Sequence, residues 1–581
     1  MATLTLVISG SGGAGAISTG EMLLHIAALS GYYGILKKTF SPQIRGGEAA
    51  AIIRLGDQPV DTFDEQVDVL IAFDWQNFSR FADEIPVSAS TVIIKNGDAG
   101  ELPAEILRCQ TGSDKPGTGI ITIDGNGIAS DAESSWVNLV FLGLMAKALG
   151  CPYPTAENIV LKRLAKHAEP LRDAARRTLM AGYELGIPAQ LQQRLKGFAS
   201  RPANNSLWLA SGNQMAALGA LEAGIRFVAA YPITPASDLL EFLAQHIEPL
   251  GGHLVQAEDE LAAINMAIGA GFGGVPAMTA TSGPGLALMA EAMGLAVASE
   301  TPVVIVDVMR CGPSTGIPTK SEQGDFNLAV YGVHGDAPHI VVACNSIADC
   351  YTTTAWAAEL ATRLQTLVIV LSDQFLGQSL QVISEPGKTD FSAAGVLATL
   401  QEDQSYQRYL DTETGVSPMA TPGLKGAMYT AEGLEHSQNA VPSPKATEHL
   451  RQLDKRQRKL LSHDYGDHWA DLSGAADNNT LIICWGSTKA SVIEAQQLLV
   501  AKGRDIACLC LRQLCPLPTE KLAVLFAKAS RLVVVEQNHS GQFFHYLRSM
   551  LPQFTYQSLV QPGPKAITPS QILAIVENPH D

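Results

Sequence analysis

The sequence predicts a multidomain α/β protein whose central domain is a doubly wound parallel sheet. Three observations carry this expectation. Apolar runs of strand length alternate with helix-length segments between residues 203 and 385, and glycine and proline gather where the runs end. Between residues 231 and 325, four polar loops each follow such a run directly or shortly after it. The runs are 227–230, 252–256, 277–281 and 303–309. The loops are Tyr231-Pro232-Ile233-Thr234-Pro235, Glu258-Asp259-Glu260, Thr281-Ser282-Gly283-Pro284-Gly285 and Arg310-Cys311-Gly312-Pro313-Ser314-Thr315-Gly316. All four should leave one edge of a single sheet, and in open α/β sheets that edge binds ligands.

The chain has 581 residues, length for about three or four domains at roughly 150 residues each. We divide it at 1–195, 203–385, 386–475 and 476–581. The first region opens with a strand over 3–9, then Gly10-Ser11-Gly12-Gly13-Ala14-Gly15 and a helix, which matches the dinucleotide pattern Gly-x-Gly-x-x-Gly. A nicotinamide site needs an acidic residue about 20 positions further on to hold the ribose, yet after Glu21 the next carboxylate is Glu48. What remains is a tight glycine turn, with a helix N-terminus available to an anion. Ser41-Pro42-Gln43-Ile44-Arg45-Gly46-Gly47-Glu48 leads into a strand over 49–55, and Arg45 is either a guanidinium presented at an accessible turn or a surface arginine on a hairpin. Residues 157–198 read as a charged helical connector. Residues 386–475, poor in β-branched runs and rich in Gln, Glu, Asp, Ser and Pro, read as a long wrapping connection ending in a helix over 447–461. The last region restarts as a small α/β domain with strands over 481–485, 505–511 and 531–536.

Composition narrows the function. With 46 % hydrophobic and 17 % charged residues the chain is a globular core-former, and a net charge of -17 excludes a phosphate-binding stripe for nucleic acid. The one dense basic cluster, Lys455-Arg456-Gln457-Arg458-Lys459, is too short to reverse that. Neither a leader segment nor an apolar stretch of membrane-spanning length is present, so the expected location is the cytoplasm with no membrane partner. Nine cysteines form no Cys-x-x-Cys pair, so no metal or cluster is expected in this chain. Cys508, Cys510 and Cys515 are expected to pack as small hydrophobes. If a metal cluster handles electrons, another chain carries it.

The motifs, in order, resemble the α subunit of a 2-oxoacid:ferredoxin oxidoreductase, of the type in which a γ domain is fused ahead of the α part, as in the two-subunit 2-oxoglutarate enzymes. The resemblance rests on the glycine-rich opening, Arg45-Gly46-Gly47, Tyr231 to Pro235, Ala280 to Gly285, Arg310 to Gly316, Pro318-Thr319-Lys320-Ser321-Glu322-Gln323-Gly324-Asp325, Gly415-Val416-Ser417-Pro418, Gly433-Leu434-Glu435-His436, Lys455-Arg456 and Glu536-Gln537-Asn538 with Gly541-Gln542. Each is weak alone; in sequence over most of the chain they are specific. The resemblance implies a γ-type accessory domain (1–195), a thiamine pyrimidine-binding domain (203–385), a wrapping linker (386–475) and a transketolase C-terminal-like domain (476–581).

It also implies oxidative decarboxylation of a 2-oxoacid with coenzyme A to an acyl-CoA and carbon dioxide, the electrons passing singly to ferredoxin, or the reverse reaction fixing carbon dioxide. Thiamine diphosphate would lie between this subunit, which holds the aminopyrimidine, and a β subunit, which holds the Mg2+-diphosphate and a [4Fe-4S] cluster, in an (αβ)2 assembly. The nearest approaches here to a Gly-Asp-Gly diphosphate motif, Asn96-Gly97-Asp98 and Asp124-Gly125-Asn126, lie in the first region without the expected context, so the chain alone should be inactive.

Thiamine needs a carboxylate on its pyrimidine ring. Glu258, Asp259 and Glu260 are candidates. Glu260 is preferred because its spacing to Gly269-Ala270 matches the family glutamate, with Glu258 second. The plainer alternative is a solvated helix N-terminus. Arg310 would grip the oxoacid carboxylate with a two-pronged guanidinium, unless it is a buried ion pair fixing its loop. Thr234, stiffened between Pro232 and Pro235, would aim its hydroxyl at the substrate, unless it caps the helix that follows. Pro232, Ile233, Ser282, Gly283 and Pro284 would line the cofactor ring. A dicarboxylic substrate such as 2-oxoglutarate needs a second cation, for which Arg45 with Ser41 is the candidate; pyruvate or a branched-chain oxoacid does not. Residues 536–542 are candidates for docking coenzyme A.

Overall fold

The computed structural model describes residues 2–40, 48–76, 78–80, 82–110, 119–199, 207–400, 405–475 and 479–578. They form two compact units, Met1–Ser211 with Gln378–Glu385, and Gly212–Gly377 with Pro386–Asp581.

The first unit is built on an eight-stranded mixed sheet in the order Ile120–Ile123, Val92–Asn96, Val69–Ala72, Thr3–Ser11, Glu48–Gly56, Tyr33–Phe40, Leu380–Ser384, Leu207–Ser211. The first four strands run parallel, and the rest pair antiparallel. Side chains alternate across a strand, and the first strand shows it. Leu6 and Ile8 enter a core with Leu23, Ile53, Phe141 and Leu142, while Val7 enters a second core with Ile52, Leu70, Ile93 and Trp75 on the other face. The helices Val137–Ala148 and Glu169–Glu184 approach so closely that a Cβ on Gly182 would lie 2.1 Å from the Val140 carbonyl oxygen. Here the structure extends past the expected first domain. Leu207–Ser211 and Leu380–Ser384, at the two ends of the span expected for the central domain, pair with each other and join this sheet. Neither lone short strand advertises its partner, because strand pairing between distant segments leaves no local signal.

The second unit contains two sheets. The larger has seven strands in the order Gln513–Cys515, Ile340–Ala343, Leu367–Asp373, Val303–Met309, Ala277–Thr281, Phe227–Ala230, His253–Gln256. Every pairing is parallel except that of Gln513–Cys515 with Ile340–Ala343. Its central strands, such as Val303–Met309, are buried on both faces, hence the unbroken apolar runs. The smaller sheet has the order Ala470–Ser473, Ile506–Leu511, Thr480–Trp485, Arg531–Glu536, Tyr556–Val560. One apolar core spans both sheets, from Ile305 and Leu371 to Ile483, Trp485, Leu509 and Phe543. Cys508 and Cys510 are buried on one sheet, whereas Cys515, half-buried, sits on the other.

The stretch expected to be a long wrapping connection carries buried charge. Its helix Ala446–Leu461 turns Lys455 and Lys459 inward, and both ammonium groups bond the buried Glu300 carboxylate, at 2.6 and 2.9 Å. The buried guanidinium of Arg408 donates to the Glu300 carbonyl at 2.7 Å and to the Gln365 side chain at 3.0 Å. Glu300 holds a φ of 51°, in the left-handed region, so the cluster also fixes a backbone conformation unusual for a residue with a side chain. Among the described residues, no helix is long and apolar enough to cross a membrane, and no group of three or more metal-ligating side chains is present.

Candidate active site

The loop residues gather at the carboxyl edge of the seven-stranded sheet, and glycine contacts fix their arrangement. Of the three adjacent carboxylates, Asp259 caps the helix Glu260–Phe272 by accepting from the Ala262 N–H at 2.7 Å. Glu258 and Asp259 are exposed and Glu260 is buried. Among the described residues the Glu260 carboxylate has no hydrogen-bond partner. It lies against Gly285: a Cβ there would stand 2.7 Å from Glu260 Oε1 and 2.0 Å from Thr281 Oγ1. Gly285→Ala therefore forces the carboxylate and the threonine aside. We expect it to cost about 1–3 kcal/mol of stability, measured as a lowered denaturation midpoint.

Ser282 is fully buried at the N-terminus of the helix Gly283–Leu288, but its side chain makes no cap bond and its Oγ has no partner. The next residue touches a further acid, since a Cβ on Gly283 would lie 2.6 Å from both carboxylate oxygens of Asp325. Asp325 in turn acts electrostatically on Arg310, which leaves the strand Val303–Met309 and is buried. Arg310 Nη1 donates to the Thr234 carbonyl at 2.6 Å, while its Nε is buried without a partner. The structure thus brings Glu260, Ser282, Gly283, Arg310 and Thr234 into one neighbourhood.

In the first loop, Pro232 and Thr234 are exposed and Ile233 is half-buried. The helix Ser237–His246 is preceded by Ala236 with no side-chain cap, so Thr234 does not serve as its N-cap. Pro235 is held from behind by the Asn213 amide, which donates to its carbonyl at 2.8 Å. Pro284 occupies the first turn of its helix, where its missing N–H costs nothing. Ser41 and Arg45 lie outside the described residues.

Two features escaped sequence reasoning. Asp307 sits fully buried in the middle of Val303–Met309, both carboxylate oxygens without partners, and Asp325 Oδ2 is likewise buried and unpartnered. Burial first, then the charge of Asp325, pushes Asp307 well above the carboxylate range. Burial and Glu322, opposed by Arg310, push Asp325 up to about 6. The signal was visible as an acid inside an apolar run. The second feature is a clasp between distant motifs. Gln323 N–H donates to the Gln537 carbonyl at 2.8 Å and Gln537 N–H to Gln323 Oε1 at 2.7 Å, while Asn538 and Gln542 amides donate to the carbonyls of Gln323 and Gly324. Glu536 is buried and accepts from the Phe543 and Phe544 N–H groups, both at 2.9 Å. Residues 536–542, expected as candidates for docking a ligand, are largely occupied in holding the 321–327 loop.

In the first unit, a cavity of about 440 Å³ opens beside the glycine turn, lined in part by Gly13, Gly15, Asp74, Trp136, Arg163 and His167. The two near-matches to a diphosphate motif engage each other there: Gly125 N–H donates to Asn96 Oδ1 at 3.1 Å and the Asn126 amide to Asp98 Oδ2 at 2.5 Å.

Chemically, the edge of the seven-stranded sheet combines a buried carboxylate with no partner of its own, a guanidinium fit for a carboxylate, and glycines that let the loop pack directly on those acidic side chains. Comparison with known proteins identifies the family. The family profile described as pyruvate flavodoxin/ferredoxin oxidoreductase, thiamine diP-bdg, matches residues 218–455, and that of pyruvate ferredoxin/flavodoxin oxidoreductase matches residues 5–185. A 2-oxoacid:ferredoxin oxidoreductase subunit alpha from Sulfolobus sp is 30 % identical over 93 % of this chain and 91 % of its own length. A 2-oxoglutarate synthase subunit from Archaeoglobus fulgidus is 37 % identical over 58 % of this chain and 88 % of its own length. Among solved structures, the 2-oxoglutarate:ferredoxin oxidoreductase from Magnetococcus marinus, with 2-oxoglutarate, coenzyme A and succinyl-CoA bound, superposes with a TM-score of 0.88 at 32 % identity, covering 99 % of each chain.

Proposed function

Since this chain belongs to the 2-oxoacid:ferredoxin oxidoreductase family as an α subunit, we propose that it serves an enzyme converting 2-oxoglutarate and coenzyme A to succinyl-CoA and carbon dioxide while reducing ferredoxin. The observation that supports the reading is that a buried, unpartnered Glu260 and a buried Arg310 follow strands of the same sheet at the same edge. The choice of oxoacid follows the Archaeoglobus and Magnetococcus relatives, whose names carry 2-oxoglutarate.

The site fits thiamine diphosphate. Glu260 is a buried carboxylate with no other partner, and the Oγ of Ser282 beside it in the fold is likewise buried and unpartnered. Pro232, Ile233, Ser282, Gly283 and Pro284 would line the ring, and bound thiamine would supply the carbon nucleophile and electron sink that a 2-oxoacid needs to lose carbon dioxide. Glu260 then holds and returns the proton of the pyrimidine nitrogen. Arg310 and the Thr234 hydroxyl hold the oxoacid carboxylate, and the buried setting of Arg310 strengthens that grip. Mg2+, the diphosphate grip and a [4Fe-4S] cluster belong in this reading to a β subunit, in a cytoplasmic (αβ)2 assembly that works with ferredoxin in either direction.

Arg45, with Ser41, is the proposed second cation for the distal carboxylate. The test is co-expression with a β subunit and assay of 2-oxoglutarate, pyruvate and branched-chain oxoacids with a viologen acceptor. The assembled enzyme should prefer 2-oxoglutarate, and Arg45→Ala should lower kcat/KM for it by about 10–100-fold while sparing pyruvate. A preference for pyruvate unaffected by that change would reverse the substrate assignment.

A further inference from the structure

Beneath the loop that carries Gly283 lie two carboxyl groups that the proposed reaction does not use. Asp307 is fully buried on Val303–Met309, and its Cα partners on the adjacent strands are Thr281 and Leu371. Asp325 presses its carboxylate against Gly283 and acts on both Asp307 and Arg310. Four polar atoms here (Asp307 Oδ1 and Oδ2, Asp325 Oδ2 and Arg310 Nε) are buried with no partner among the described residues. The other charged group acting on Asp325 is Glu322 of the same loop, partly satisfied by the Gly563 N–H at 3.2 Å. From the flanking strands come the uncharged Thr279 and Thr281 and, on the far side, Asp373, which is committed to the Ser487 hydroxyl and the Leu376 N–H.

Charge counting decides what such a group does. Two carboxyl groups that repel each other across a buried space cannot both ionise readily, so the pair holds one proton; its remaining negative charge balances Arg310, and Glu322 adds a further negative charge beside Asp325. A second anion brought to Arg310 would leave an excess negative charge in a poorly solvated space, where it is costly, unless the pair takes up another proton. On the reading that Arg310 receives the substrate, we propose that Asp307 and Asp325 form a proton-sharing carboxyl pair that takes one proton from solvent as the oxoacid carboxylate docks and returns it to solvent when that carboxylate leaves as neutral carbon dioxide. Asp325 is thus a positioning residue: it tunes how tightly Arg310 holds an anion as pH changes. Its upward shift to about 6 puts the titration where this coupling is felt near neutrality.

The experiment is calorimetric titration of the assembled enzyme with N-oxalylglycine, a 2-oxoglutarate analogue that cannot be decarboxylated, in buffers of differing ionisation enthalpy between pH 6 and 8. The native enzyme should take up protons on binding, and the analogue's Kd should rise with pH by at most about tenfold per unit. In Asp325→Asn, proton uptake should vanish and the Kd should become independent of pH over that range. Asp307→Asn replaces a group already held neutral, so it should fold. It should also keep its proton uptake, because Asp307 already carries the first proton and Asp325 is the group that takes up the second. Binding without proton exchange in the native enzyme, or unchanged exchange in Asp325→Asn, overturns this inference alone. No binding of the analogue at all removes the oxoacid from Arg310 and defeats both readings together.

Discussion

Glu260→Gln should lower turnover of the assembled enzyme by on the order of 10²–10⁴-fold, the range lost when a positioned acid–base group is removed. Glutamine keeps the shape that fits beside Gly285 and Thr281, so folding and subunit assembly should survive. It cannot accept and return a proton, so exchange of the cofactor's reactive ring hydrogen with deuterated solvent, followed by NMR, should slow in parallel with turnover. Glu258→Gln is the control, because that side chain points to solvent and should change either rate little. If Glu258→Gln slowed exchange and Glu260→Gln did not, the carboxylate assignment would pass to Glu258.

The second large effect concerns stability. Glu300→Gln leaves Lys455, Lys459 and Arg408 buried around a neutral side chain, and breaking a buried pair in this way costs about 3–5 kcal/mol. The pH dependence has a definite sign. Burial alone would raise the Glu300 carboxyl, but Lys459, Lys455 and Arg408 together hold it far below its ordinary value of 4.5. Its contribution is therefore complete above about 4.5 and is lost as pH falls through the depressed folded value, so the gap between native and variant narrows in acid. Burial lowers Lys459 to about 8 even with Glu300 raising it, so in the variant the unpaired ammonium should shed its proton below that point and stability should recover as pH rises through the lower value. Urea titrations at several pH values measure both trends. A loss below about 1 kcal/mol at neutral pH would show that the cluster's charges are already solvated.

The same two residues show what a sequence can and cannot disclose. The strands Phe227–Ala230, Ala277–Thr281 and Val303–Met309 were legible to the residue, because a parallel strand covered on both faces must be continuously apolar, and its end is marked by the polar loop that follows. That logic placed Thr234, Glu260, Ser282 and Arg310 on one edge. It could not choose among Glu258, Asp259 and Glu260, which differ only in the direction their side chains take as the helix begins. The inward turn of Lys455 and Lys459 was not legible, because their partner Glu300 lies some 150 positions away, beyond any local pattern. Asp307 was the opposite case: an acid in a run of valine and isoleucine contradicts its surroundings, and such contradictions mark places where function overrides packing.

The short strand Gln513–Cys515 completes the edge of the seven-stranded sheet beside Ile340–Ala343. During translation, Ile340–Ala343 leaves the ribosome while about 170 residues that precede its neighbour are still unmade, and at roughly 5–20 residues per second that gap lasts on the order of ten seconds or more. For that interval the nascent sheet exposes a valine-rich border able to pair with another polypeptide. Chaperone attendance during synthesis, or poor yield when synthesis is hurried, would be a direct legacy of this connectivity.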